Sequence, residues 1–186
     1  MSSRGADFED VLRGAVAGVI GGCIASWVMN QYLSAQRPPA NPEPSQACEQ
    51  GGQSSQQSQE SQKSAANQGD DATVKTAQAI SRGLFNHELT PQEKKVAGPA
   101  VHYGYGMLVG GLYGALAEVW APASAGFGMV YGMALWLFGD ETAVPVLGLG
   151  PPPTQVAARD HADYLAGHLV YGIALDISRR FARLFV

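Results

Sequence analysis

The chain has 186 residues, 12 basic and 16 acidic side chains and a formal charge of −4; that length suits one domain of ordinary size. So mild an acidic balance, with no basic block, gives no support to a nucleic-acid partner. Two cysteines, Cys23 in an apolar run and Cys48 in a polar one, supply neither a disulfide framework nor a metal pair.

A mean hydropathy near zero averages two populations. Residues 38–72 are almost wholly Gln, Ser, Pro, Gly, Asn and acidic residues, and the remainder is far more apolar. Four regions follow: 1–37, an N-terminal tail and a first transmembrane helix; 38–72, a disordered polar linker; 73–90, an amphipathic interfacial helix; and 91–186, a three-helix membrane region. The fold class expected is all-α, an integral membrane bundle of about four transmembrane helices.

From Gly14 to Gln36 there is no charged residue, about the length a helix needs to cross the hydrocarbon core. A cleaved signal peptide is the alternative. Asp7, Glu9 and Asp10 in its n-region, and the length of the run, favour a retained anchor. In the linker, few aromatic or β-branched residues are present to bury. Pro38, Pro39, Pro42 and Pro44 extend its first part, and the Gln/Ser tract is flexible. It is either a tether for a docking partner or an insertion between two helices. Val74, Ala77, Ile80, Leu84 and Phe85 then fall at helical spacing, with Lys75 and Arg82 elsewhere, as in a helix lying on a membrane surface.

Thr90-Pro91-Gln92-Glu93 reads as a capping box with proline at the first helical position. The stretch from Val96 to Gly139 is too long for one span, and Trp120-Ala121-Pro122 offers a turn. Two antiparallel helices, about 91–119 and 124–140, are expected, joined by a very short connection. Asp140-Glu141 closes the second. The apolar segment from Val144 to Thr154 cannot be regular helix, and rests on the bundle end or re-enters it. The last span runs from Asp160 to about Phe185, with an apolar centre from Tyr164 to Ile177. Arg179, Arg180 and Arg183 snorkel to the interface and complement the helix C-terminus. Flanking charges are balanced between the two sides, and the C-terminal arginine cluster tips the orientation towards termini inside.

Gly14, Gly18 and Gly22 are four apart, as are Gly106, Gly110 and Gly114, and Gly128 and Gly132. At that spacing they share a face and admit a second helix closely. The partner is another helix of the same chain or, in the sharper reading, a second copy in a homo-oligomer. Tyr-Gly recurs at Tyr113-Gly114, Tyr131-Gly132 and Tyr171-Gly172, each followed by small or apolar residues, either as an internal repeat or by chance.

Ionisable residues inside spans are costly and usually face a bundle interior or a wet cavity. The candidates are His102, Glu118, Asp140, Glu141, His168 and Asp176. His168 lies near the middle of the last span and suits either a proton relay or a structural hydrogen bond to a carbonyl on another helix. Asp176 has Arg179 at i+3, whereas Glu118, near a helix C-terminus, has no evident partner. There is no metal spacing, nucleophile elbow, phosphate loop or dinucleotide fingerprint, so no catalytic residue, cofactor or metal is expected.

Four pieces in order carry a resemblance: Ala117-Glu118-Val119; Val144-Pro145-Val146-Leu147-Gly148-Leu149-Gly150-Pro151-Pro152; Gly167-His168-Leu169-Val170; and Asp176-Ile177-Ser178-Arg179-Arg180. Together they resemble the YagU-like family of bacterial inner-membrane proteins, whose function is unknown. The likeness covers residues 97–183 and, more loosely, 11–36. It implies a multi-pass protein of the bacterial inner membrane and supplies no catalytic residues. Asp176 departs from it, standing where that family has glutamate. The expected function is a small channel- or transporter-like assembly with His168 and Glu118 lining a polar interior. The alternative is a non-transporting scaffold or accessory subunit that docks a protein partner.

Overall fold

A computed structural model describes residues 7–36 and 72–186, so the linker expectation over 38–72 lies, but for Ala72, outside the described residues. All regular structure among them is helical. Helix α1 covers Phe8–Gln36 and α2 covers Ala72–Phe85. Helix α3, Pro91–Val119, starts as its sequence suggests. The Thr90 hydroxyl accepts from Glu93 N–H at 3.3 Å, the Glu93 carboxylate accepts from Thr90 N–H at 2.7 Å, and Pro91 needs no donor there.

The connection after α3 differs from expectation. Pro122 opens a short 3₁₀ turn, Ala121–Ser124, instead of a helix beginning at 124. Gly126, Phe127 and Gly128 then all take positive φ, at 60°, 55° and 81°, a conformation no right-handed helix contains. Helix α4 therefore begins only at Met129. It runs as α-helix over Met129–Leu135, widens to π-helix over Trp136–Ala143, and ends with one turn at Val144–Val146. A π-segment takes more residues per turn than an α-helix, and over the eight residues of Trp136–Ala143 that change of period is too short to read from the sequence. Helix α5 covers Ala158–Ala182.

Helix directions follow from which glycines meet. Gly14 lies against Gly114, Gly18 against Gly110 and Gly22 against Gly106, so α1 and α3 are antiparallel. A Cβ on Gly110 would stand 2.5 Å from Gly18 O, well inside van der Waals contact. On its other side α1 runs antiparallel to α5, with Gly21 on Leu175 and Gly167 on Leu33 and Met29. A second seam joins α4 to α5, where Gly128 abuts Gly172 and Gly132 abuts the His168 carbonyl. Hence α1 and α4 point one way, and α3 and α5 the other. The start of α1 and the ends of α3 and α5 share one end of the bundle. At the opposite end α2 folds back on the beginning of α3, held by Val74 against Gly98 and by Leu89 N–H donating to Gln78 Oε1 at 3.1 Å.

Met29, Val109 and Leu175 form a small apolar core with Ala25, Tyr113 and Tyr171, yet many large apolar side chains stay on the outside. Facing inward are the glycine seams, Ala17, Ala25, Ser26, Tyr113, Tyr171, Asp176 and Arg179. Facing outward are Val16, Val19, Ile20 and Ile24 of α1, and Leu108, Leu112 and Leu116 of α3. Val130, Met133 and Leu137 of α4 and Ile177 and Phe181 of α5 continue this apolar exterior.

Candidate functional site

Three helices meet at the end that carries the start of α1 and the ends of α3 and α5, and there the charged residues converge. Asp176 on α5 is wholly buried. A carboxylate stripped of water needs several donors to offset its desolvation. The Tyr113 hydroxyl donates to Oδ1 at 2.8 Å, Arg180 Nε donates to Oδ2 at 2.8 Å, and Arg179 Nη2 lies 3.6 Å from Oδ1.

Glu118 stands in the last turn of α3, where the helix dipole disfavours a negative charge. Sequence spacing shows it no partner, and that expectation is corrected. Arg179 Nη1 and Arg183 Nε both donate to its Oε1, each at 3.2 Å. Both partners lie more than sixty residues further along the chain, so no local pattern could have revealed them. Arg183 also reaches Asp10 of α1 at 2.9 Å. Gly14 makes room for the pair, since a Cβ there would overlap the Glu118 side chain. The cluster therefore balances Asp10, Glu118 and Asp176 against Arg179, Arg180 and Arg183. It ties α1, α3 and α5 together.

Tyrosines fill the bundle beyond this cluster. The Tyr113 ring lies 5.7 Å from the Arg179 guanidinium and 4.8 Å from the Tyr131 ring. Tyr131 donates its hydroxyl to the Val109 carbonyl at 2.7 Å, and Tyr171 donates to the Gly106 carbonyl at 2.7 Å. These are the three tyrosines of the repeated Tyr-Gly word, and its two halves divide the work. The glycine lets a neighbouring helix approach, and the preceding tyrosine spans a wider gap to reach a carbonyl or a carboxylate. The repeated word was the one available signal for these residues. It identified neither their partners nor the role of Arg179.

Near the other end, two histidine–carboxylate pairs join α4 to α5. His161 has Glu141 Oε1 2.6 Å from Nδ1 and the Pro153 carbonyl 3.0 Å from Nε2. With an acceptor at both nitrogens, the geometry suits a ring bearing two protons. His168 directs Nδ1 at the Tyr164 carbonyl of its own helix at 3.0 Å, rather than at another helix, while Asp140 Oδ2 is 3.6 Å away. His102 Nε2 lies 3.4 Å from the Ser26 carbonyl across the α1–α3 seam.

The six ionisable candidates thus fall into separate groups. Glu118 and Asp176 join the arginine cluster, Asp140, Glu141 and His168 bridge α4 and α5, and His102 stands on the seam. Glu118 and His168 do not share one polar interior. Among the described residues no group of three or more His, Cys, Asp or Glu could hold a metal ion. The two best-formed hollows are apolar surface grooves. The larger, about 500 Å³, lies between α1 and α5 and is lined by Ile20, Ile24, Ile177 and Phe181, among others.

One helix among the described residues, Phe8–Gln36, is by length and composition long and apolar enough to cross a membrane, which favours membrane association. Residues 78–177 match the family described as a protein of unknown function (DUF1440), and with more than half of the chain matched the protein belongs to it. No curated protein and no solved structure matches the chain.

Proposed function

We propose that this member of a family of unknown function is a four-span protein of the bacterial inner membrane with a non-transporting, scaffold or accessory role. The resemblance to the YagU-like proteins supports that location. The apolar exterior of α1, α3, α4 and α5, with glycine seams between them, supports four spans: in lipid, helices associate through close backbone packing and interhelical hydrogen bonds while large apolar residues face outward. Helices α3 and α5 are less apolar than α1 because their glycines, tyrosines and ion pairs are spent on that packing.

One observation carries the choice of role. Glu118, Asp176 and the buried tyrosine hydroxyls find their partners within the bundle, in one another, in arginines or in backbone carbonyls, and of the cluster's buried polar atoms only the Arg179 Nε–H is left without one. They serve as ties between helices, and neither hollow described above is a polar passage. A conduit is the second reading, favoured by one observation. The Asp140–His168 pair is open at 3.6 Å, its carboxylate is 40% exposed, and it sits on a π-segment, a feature frequent at functional sites.

Ion and proton flux in proteoliposomes distinguishes the two. A scaffold gives no flux above empty vesicles under any imposed gradient, and Glu118→Gln and His168→Ala leave that baseline unchanged. Flux in the wild-type protein that His168→Ala abolishes, with folding and insertion intact, overturns the scaffold reading in favour of a conduit.

A further inference from the structure

Helix α5 poses a problem of its own, given the four-span reading on which this inference rests. Its 25 residues include Arg159, Asp160, Asp163, Asp176, Arg179 and Arg180, whereas α1 is uncharged from Gly14 onward. Charged residues within a span oppose its insertion. Those near its start, and Arg183 just past its end, can reach the headgroups along their stems. Arg179 cannot, because its side chain is only 10% exposed. The end of α5 and the turn beyond it carry three arginines against the single carboxylate of Asp176. Two positive charges are left over, and the two acids that face them come from other helices, Glu118 of α3 and Asp10 of α1.

We propose that α5 enters the membrane in partnership with α3, with Glu118 as the positioning residue that neutralises Arg179 as the last span inserts. Tyr113, one turn and a residue before Glu118 on α3, supplies Asp176 with its hydroxyl donor at the same time. Both groups sit on a helix made before α5, so the receiving surface is complete when Arg179 emerges. Gly14 keeps this surface open on the α1 side, where any side chain would displace the Glu118 methylenes. The final helix is thus selected for insertion by charge complementarity with a helix already in place, and not by its own hydropathy.

The test uses the full chain with a C-terminal dual reporter that gives one signal in the cytoplasm and a different one outside, beside a tag at the N-terminus. In the wild-type protein both ends report the same side. With Glu118→Gln, the share of molecules with the C-terminus on that side falls by about half or more, and the opposite signal rises to match. Adding Arg179→Gln to Glu118→Gln restores the wild-type placement, because the stranded cation is gone. Wild-type placement in Glu118→Gln alone overturns the proposal, and so does failure of Arg179→Gln to rescue, which would assign Glu118 a packing role. Wild-type ends on opposite sides would instead overturn the four-span reading itself. Because each location gives a positive signal, a degraded variant is not mistaken for an inverted one.

Discussion

Two tyrosines show how much depends on what a hydroxyl meets. Tyr113 donates to a buried carboxylate, whereas Tyr131 donates to a carbonyl that can also accept a bond within its own helix. A hydrogen bond to a charged group contributes about 1.5–3 kcal/mol and one to a neutral group about 1 kcal/mol. Tyr113→Phe should therefore lower stability in detergent more than Tyr131→Phe, as measured by thermal unfolding. Equal losses would mean that Asp176 is adequately held by Arg180 alone. Outside the bundle, the Glu93 carboxyl is held well below the usual carboxylate range, at about 2, first by the Thr90 N–H, then by the Thr90 hydroxyl and His87. A depressed pKa favours the folded form wherever the unfolded group would titrate. The contribution is complete above pH 4.5, the group's ordinary value, and is lost as pH falls towards about 2. Amide protection over residues 93–95 should decline across that window. Thr90→Ala, which removes the cap at a cost of about 1 kcal/mol, should flatten the decline.

The seams between helices set a stricter rule than any single hydrogen bond. At Gly18 a Cβ would overlap the Gly110 carbonyl, which is backbone and has no rotamer to yield. Gly104, on the same helix as Gly110, has nothing within 4 Å of where its Cβ would be. Gly18→Ala should thus destabilise by about 1–3 kcal/mol through overpacking, while Gly104→Ala should be neutral or raise stability by up to about 1 kcal/mol through helix propensity. A melting comparison in one detergent decides it, and equal shifts would mean that the α1–α3 seam has slack. The sequence displays these glycines at four-residue spacing but not which row meets which, because spacing fixes a face and not its partner. Likewise, the Thr90–Glu93 cap was legible because its groups are three residues apart. The π-segment and the left-handed turn at Gly126–Phe127–Gly128 were not, since each is too short to register as a change of period.

At the scale of the whole molecule, the all-helical architecture of the described residues was legible from composition and apolar runs, and so were the residue types that would matter at depth. Their grouping was not. Glu118 pairs with residues more than sixty positions away, and Asp10 with Arg183 across nearly the full chain, so only the closed bundle brings opposite charges together. The glycine seams among the described residues are filled from within one copy. Sedimentation in detergent should accordingly give a particle containing one polypeptide of 19.5 kDa. A stable larger assembly would show that the apolar exterior, and not the glycine rows, binds copies together.

The seam of Gly18 on Gly110 also limits how such a protein can diverge. Outward residues such as Val19 or Leu112 can drift among apolar types with little consequence, each independently of the rest. Gly18 and Gly110 leave no smaller residue to retreat to, and enlarging either forces the two backbones apart where they cross. Change at these two positions is therefore coupled: a larger residue at one is best tolerated when the facing backbone shifts to receive it.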